Sequence, residues 1–415
     1  MNERLHPRSG QQLLGTPGAV LDGSKPVTSF AKRDGRWVSG GHDHDFTTHG
    51  SCRSGYDACS LSEAVFVDGR PLWQVTSTSQ LAPGTFVFDR ARDELILHDD
   101  PSGKRVELTV APAAFVGRRK DGSLANNVVV RNLVIRKFAT MAQRGAVDTE
   151  QASGWIIQHN AVLQNSGAGV IADTNSVVRG NRINGNGQLG IGGHGENGLV
   201  EGNEIAANHT NGFSIGWEAG GSKWSHTRGL IVRNNYVHDN DGPGLWTDLS
   251  NIATRYEGNV VNDNSEAGIF HEISYDAVIT GNTIARNGFR DPRWGYGAGI
   301  QIAGSPNVEI TNNVVDRNAR GITLIQQSRG SGDHGPHEIS NAAVSGNTVI
   351  MESGFSGLVQ DVGDSSYFTD RNNRFWGNTY RLGAGLAKPF EWRNGYRTPG
   401  EWSAFHPSDG PFTSL

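Results

Sequence analysis

The stretch NVVNDN, Asn259 to Asn264, decides the fold, because near-copies flank it at almost constant spacing: NYVHDN from Asn235 and NTIARN from Asn282. The shared pattern is Asn, one residue, Ile or Val, two residues, Asn. It recurs as NAVLQN from Asn160, NRINGN from Asn181, NEIAAN from Asn203 and NVVDRN from Asn313. The first Asn of each copy stands at 160, 181, 203, 235, 259, 282 and 313, so the steps are 21, 22, 32, 24, 23 and 31. The basic step is 21 to 24 residues, and the two long steps hold extra loops, EAGGSKWSHTR and GFRDPRWGYGA. Each copy is a short β-branched strand and a turn, followed by Gly and a second alternating strand: GVIAD, GIGGH, GFSIG, GLWTD, GIFHE, GIQIA, GITLI. A repeat of this length without a helix is one coil of a solenoid. The sequence therefore predicts an all-β fold, a right-handed parallel β-helix. Equivalent residues of successive coils then stack about 4.8 Å apart, and the Asn positions form ladders that satisfy turn backbone groups. These Asn residues build the fold and take no part in chemistry.

Weaker coils extend the array in both directions: NLVIRK at Asn132 to Lys137, SGNTVI at Ser345 to Ile350 and RNNRFWGN at Arg371 to Asn378. The expected organisation is one or more first coils in residues 1–45, with AVLDG at Ala19 to Gly23 as a strand. A small inserted antiparallel β subdomain follows in 46–107, where VFVDGRPLWQV, GTFVFDR, ELILHDD and GKRVELTV alternate between DG-type turns. The catalytic solenoid spans 108–380, and a C-terminal cap spans 381–415, where Trp392, Trp402 and Phe405 stand and the repeat is lost. Nothing reads as an N-terminal cap, so the chain reads as starting inside a longer solenoid, with an open sheet edge and the oligomeric state left open.

Composition narrows the function. Gly is 56 of 415 residues, about 13%, roughly double the usual 7%, while charged residues are only 19%. With 37 Lys and Arg against 42 Asp and Glu, the net charge of -5 gives no basis for holding a polyphosphate, so nucleic acid is not an expected partner. No window approaches 18 apolar residues and MNERLHPRSG lacks a signal-peptide core, so no membrane partner is expected. The location is left as cytoplasmic, or secreted with the leader absent. Cys52 and Cys59 either close a small loop as a disulfide or stand as two reduced thiols.

A solenoid has no activity of its own, so function is sought where outward positions depart from the ladder. Aligning the strands on their Gly stacks Gly212 to Gly216, Gly244 to Asp248, Gly268 to Glu272 and Gly299 to Ala303. Period two sends Leu245, Ile269 and Ile300 inward, and Trp246, Phe270 and Gln301 outward together with Asp248, Glu272 and Ala303. Two carboxylates thus share one exterior face in adjacent coils. A rung spacing of about 4.8 Å puts them near the 5 to 5.5 Å of retaining glycosidases, short of the roughly 6.5 to 9.5 Å of inverting ones. Gly216 and Ala303 flank the pair as small residues that leave room for a sugar ring, and Trp246 and Phe270 offer faces for it to stack on. Two like charges this close raise one acid, so Glu272 is assigned as proton donor and Asp248 as nucleophile.

GPGLWTD followed one coil later by GIFHEIS resembles the catalytic coils of β-helical retaining glycoside hydrolases, most closely the β-xylosidase family whose parallel β-helix carries an inserted β-sandwich. The resemblance covers the solenoid and the insertion at 46–107. It implies that Asp248 is the nucleophile, that Glu272 is the acid/base, and that the substrate is a plant or microbial oligo- or polysaccharide, a pentoside such as a xyloside being favoured.

Further candidates come from the two long loops. GWEAGGSKWSHTR supplies Trp217, Glu218, Lys223 and Trp224 just before the Asp248 strand, and FRDPRWGYG supplies Arg290, Asp291, Arg293, Trp294 and Tyr296 just after Glu272. Walls on both sides would form a subsite in which Trp stacks and Lys or Arg bonds hydroxyls. His271 falls inward as a core histidine able to orient Glu272. His42, Asp43, His44 and Asp45 read as a polar loop rather than a metal site, and His194 on an earlier coil is a weaker groove candidate. No cofactor is called for, with a structural Ca²⁺ left open.

Two rivals belong to other classes. A polysaccharide lyase or uronate epimerase needs a Lys or Arg base and a cation at the uronate, whereas the outward face holds acids and aromatics with its basic residues expected in loops. A non-catalytic carbohydrate-binding β-helix would keep its behaviour when Asp248 and Glu272 become amides. The hydrolase reading instead predicts loss of turnover in both, and azide rescue when Asp248 is truncated.

Overall fold

The computed structural model describes residues 4–44 and 46–415, and almost every regular element in it is a β-strand. The chain divides into two compact units, residues 1–172, 182–192 and 208–219 in the first, and residues 173–181, 193–207 and 220–415 in the second. Both contain parallel strands in the right-handed β-helix arrangement that the repeat predicts.

In the first unit, Phe115–Val116, Gly145–Asp148 and Ala168–Ile171 pair in parallel as one face. Val20–Asp22, Val134–Arg136, Ala161–Leu163 and Arg182–Asn184 form another. An insertion interrupts the first coil as two sheets. One holds Ala31–Arg33, Arg36–Gly40, Glu94–Leu97, Thr85–Asp89 and Trp73–Gln74; the other holds Ser24–Val27, Val106–Thr109, Val65–Val67 and Arg70–Pro71. The expected boundary at residue 46 is therefore too late. Ser24–Val27 and Arg36–Gly40 are strands of the insertion, because Val27 and Val38 are buried in its two small apolar clusters, Val27 beside Val65, Phe86, Leu95 and Leu108. Cys52 and Cys59 form a disulfide.

In the second unit, one face runs Gly220–Arg228, Leu245–Thr247, Ile269–Glu272, Ala298–Ala303, Arg320–Gln326, Ser356–Gln360 and Phe390–Glu391. The Asn ladder is continuous beside it. Asn259 Oδ1 accepts from Asn235 N and Nδ2, both at 3.0 Å, and Asn259 N and Nδ2 pass the bond to Asn282 Oδ1, both at 2.9 Å. Gly258 and Gly281 precede ladder residues with φ of 62° and 67°, a left-handed conformation that aims the next amide at the coil beyond. The ladder continues through Asn313, Asn347 and Asn378 to Asp409, whose Oδ1 accepts from Asn378 N at 3.0 Å and Nδ2 at 2.8 Å. A carboxylate accepts but cannot donate onward, so it ends the ladder. The tail thus adds a coil, with Phe412–Ser414 paired to Thr379–Leu382, instead of losing the repeat at 381. The helix Pro399–Phe405 buries Trp402 within it.

Candidate functional site

The strands Leu245–Thr247 and Ile269–Glu272 pair with Leu245 opposite Ile269, Trp246 opposite Phe270 and Thr247 opposite His271. Asp248 and Glu272 each follow the last of these matched residues, so they occupy equivalent positions on neighbouring rungs. A second polar ladder holds the turns behind them. Asn251 Nδ2 donates to Asp248 O at 2.9 Å and to Ser274 Oγ at 3.0 Å, Ser274 Oγ donates to Glu272 O at 2.7 Å, and Ser274 N donates to Ser305 Oγ at 3.1 Å. The residue after each acid is left-handed although its side chain is bulky: Leu249 at φ 66° and Ile273 at φ 34°. Such backbone costs of order 1–3 kcal/mol and persists only where the surroundings over-determine it.

Asp248 and Glu272 are buried yet reach solvent with 11% and 9% of their side-chain surface. Lys223 Nζ lies 2.9 Å from Asp248 Oδ2, whereas Asp248 Oδ1 is buried with no hydrogen-bond partner among the described residues. Glu272 Oε2 accepts from Trp246 Nε1 at 3.2 Å and Oε1 from Arg329 Nη1 at 2.8 Å. Burial first, and then the charge of Asp248, push the Glu272 carboxyl up, with Arg329 and Lys223 opposing. One acid is thus tethered with a vacant lone pair, and its neighbour is biased toward carrying a proton.

The surroundings differ from expectation in four respects. First, EAGGSKWSHTR is no loop: Gly220–Arg228 is a strand, with Trp224 opposite Thr247, so Gly216 is not the slot before Asp248. Alternation along that strand turns Lys223 outward and leaves Trp224 only 2% exposed, so Trp224 is a core residue and not a sugar contact.

Secondly, Trp246 and Phe270 point outward but are covered. Their rings stack 5.6 Å apart at 10°, Lys223 Nζ sits 4.0 Å from the Trp246 centroid, and Tyr296 meets Phe270 edge-on at 5.9 Å. Neither ring offers an open face to a sugar, and the Trp246 N–H is spent on Glu272. Gln301 is also buried, its Oε1 accepting from Gly297 N at 2.8 Å, so it supports the loop.

Thirdly, Arg290 and Arg293 are engaged by carboxylates, Arg290 by Asp241 at 3.4 Å and Arg293 by Asp291 at 2.6 Å and Glu266 at 3.1 Å. Burial pushes Glu266 up to about 7. Tyr296 is buried and donates to Gln327 Oε1 at 2.9 Å, while Trp294, 45% exposed, keeps a free aromatic surface.

Fourthly, Trp217 and Glu218 belong to the first unit. Trp217 packs against His49 and Phe213, and Glu218 Oε2 accepts from Gln143 Nε2 at 2.6 Å.

His271 is inward as expected and fully buried, bonded through Nδ1 to Thr247 Oγ1 at 2.7 Å, and burial pushes it down to about 3. It is a neutral core group that cannot touch substrate. His194 is exposed and pairs with Asp173 at 3.6 Å. His42 bonds Ser39 Oγ at 3.0 Å and His44 stacks on Phe88, while Asp45 lies outside the described residues. Among the described residues no three His, Cys, Asp or Glu side chains gather as metal ligands.

Sequence reasoning missed Arg329, Glu266 and the ladder Asn251–Ser274–Ser305. The step from Asn313 to Asn347 is 34 residues, longer than the interrupted steps of 32 and 31, and it marks the loop that carries Arg329.

Residues 145–332 match the family described as right-handed beta helix region. Among solved structures, a complex of XylC with xylose aligns over 97% of this chain and 76% of its own, at 13% identity and a TM-score of 0.64. The A-module of the Azotobacter vinelandii mannuronan C-5 epimerase AlgE6 aligns over 74% of this chain and 88% of its own, at 14% identity and a TM-score of 0.42. The catalytic unit of a GH87 alpha-1,3-glucanase from Streptomyces thermodiastaticus aligns over 92% and 87%, at 12% identity and a TM-score of 0.27. No curated protein matches the sequence. The family match and the XylC alignment support the β-helix fold and leave the chemistry to the site.

Proposed function

We propose that the chain is a glycoside hydrolase acting with retention of configuration, with Asp248 as nucleophile and Glu272 as acid/base. The observation that carries this reading is the asymmetry of the pair. Asp248 is fixed by Lys223 on one oxygen while the other lacks a partner, and Glu272 on the next rung is biased toward the protonated form. In the first step Glu272 gives its proton to the glycosidic oxygen as Asp248 Oδ1 attacks the anomeric carbon, and the leaving group departs with the electron pair of the broken C–O bond. In the second, water attacks that carbon, its proton passes to Glu272, and the ester bond returns its electron pair to Asp248. Lys223 steadies the oxygen that does not attack. A pentoside is the favoured substrate, in keeping with the xylose bound by XylC, and Trp294 is the exposed aromatic among the candidates that the sequence names.

The lyase or epimerase alternative gains one point, since Lys223 stands on the outward strand and Arg329 reaches the acids. Both cations are nonetheless engaged by Asp248 and Glu272, and neither is placed to neutralise a uronate as well. The test is a screen of chromogenic pentosides, hexosides and furanosides, with Asp248→Asn and Glu272→Gln as controls. Turnover lost in both variants supports the hydrolase. Unsaturated products absorbing in the ultraviolet would indicate a lyase, and binding unchanged without turnover a lectin-like role.

A further inference from the structure

The hairpin that follows the strand Arg320–Gln326 bears on the second half of this reaction. Ser331–Gly332 and Gly335–Pro336 pair antiparallel, and Tyr275, three residues beyond Glu272, clasps them. Tyr275 Oη donates to Gly335 O at 2.6 Å and accepts from Gly332 N at 3.2 Å, and Asp333 N donates to Ser250 Oγ at 3.0 Å. Gly332 is packed so closely that a Cβ there would meet Ser250 Oγ at 2.4 Å and His337 Nε2 at 2.5 Å. His337 Nδ1 bonds Arg329 O at 3.0 Å, fixing the backbone from which the guanidinium reaches Glu272 Oε1. Both turns behind the acids, at Ser250 and at Tyr275, therefore hold the segment that delivers Arg329.

We propose that Arg329 is a positioning residue that holds Glu272 as the anionic base for hydrolysis of the glycosyl-enzyme, delivered by the hairpin clasped on Tyr275. The inference rests on the acid-pair reading above. Its logic is that Glu272 must serve opposite ends of a proton transfer. With Asp248 ionised, burial and like charge favour a protonated Glu272, the state the first step consumes. Once Asp248 is an ester its charge is gone, and the guanidinium at 2.8 Å favours the carboxylate, the state that accepts the proton of the attacking water. The charged and titratable groups around Glu272 are Asp248 on the preceding rung, Lys223 one rung earlier, Arg329 on the hairpin segment, and Tyr296 and Glu266 near the following coil. Of these groups Asp248 is the one whose charge the proposed bond formation itself removes, and Arg329 supplies a constant bias against which that change acts.

The experiment compares wild type with Arg329→Gln, Arg329→Lys and Tyr275→Phe on two aryl glycosides of a sugar found in the screen, a phenyl glycoside, whose departure needs the acid, for the pH profile of kcat/KM and a dinitrophenyl glycoside for the burst. For Arg329→Gln the alkaline limb of kcat/KM moves up by about 1–3 pH units. Hydrolysis of the glycosyl-enzyme becomes rate-limiting, so a burst of about one dinitrophenolate per chain precedes a slower steady state. Arg329→Lys keeps most of the wild-type profile, Tyr275→Phe moves the limb in the same direction by less, and added guanidinium partly restores Arg329→Gln. Titration of the ¹³C-labelled Glu272 carboxyl, assigned with Glu272→Gln, reads the same shift without turnover. An alkaline limb and a carboxyl midpoint that stay put or move down in folded Arg329→Gln overturn the proposal. Should Asp248→Asn and Glu272→Gln keep wild-type turnover, the acid-pair reading fails first and this inference with it.

Discussion

Trp246 donates its indole N–H to Glu272 Oε2 at 3.2 Å while the same ring carries Lys223 Nζ 4.0 Å from its centroid. One side chain thus connects the cation that holds Asp248 to the acid on the next rung. Trp246→Phe keeps a ring on Phe270, removes the N–H donor and leaves Lys223 over a smaller ring. Its expected effect is a roughly tenfold lower kcat, the effect of one hydrogen bond of about 1.4 kcal/mol, with a modest loss of fold stability from the smaller buried ring. Steady-state kinetics and a melting curve check it.

Lys223 distinguishes two roles. A lysine that bonded sugar hydroxyls, as the sequence suggests, would raise KM on removal and leave kcat alone. The ion pair with Asp248 Oδ2 at 2.9 Å instead predicts that Lys223→Met lowers kcat by about 10²-fold with a smaller effect on KM.

The Asn ladder gives a stability prediction independent of function. Asn259→Ala takes the acceptor from Asn235 N and the side-chain donor from Val232 O, while Asn235 Nδ2 keeps its bonds to Val200 O and Arg233 O. At about 1–3 kcal/mol for each of these two groups, the loss is about 2–4 kcal/mol after partial relaxation. Denaturant unfolding should show a clear drop in midpoint.

Burial holds two histidines of the second unit neutral, His271 pushed down to about 3 and His406 to about 4. A depressed folded value means that the unfolded chain binds the proton first, below about 6.5. Their contribution is therefore full above that pH and is lost as pH falls toward 4 and 3. Thermal midpoints should decline from pH 6.5 to 4, and His406→Gln should flatten part of that decline.

The coil repeat, the register of Leu245 on Ile269 and the alternation that turns Asp248 and Glu272 to one side are local properties, and the spacing of Asn and Gly residues carries them openly. The two long interruptions carry no such local signal. Alignment on Gly puts Gly212 to Gly216 beside the Asp248 strand, but Gly220–Arg228 occupies that place. Gly221 serves the alignment as well as Gly212 does, and sequence spacing cannot choose between two glycines nine residues apart. Outwardness is also not exposure. Trp246 and Phe270 leave the coil as period two requires, yet Tyr296 and Phe355 from later chain close over them, a tertiary event without a local signal. Arg329 reaches Glu272 across 57 residues, so only following the ladder on to Asn347 points to its loop.

The most direct test is the anomeric configuration of the sugar first released from whichever glycoside of the screen is cleaved, followed by proton NMR before mutarotation. Asp248 and Glu272 acting as nucleophile and acid/base predict the anomer of the substrate. Release of the opposite anomer, or no cleavage of any glycoside by the folded chain, contradicts the account.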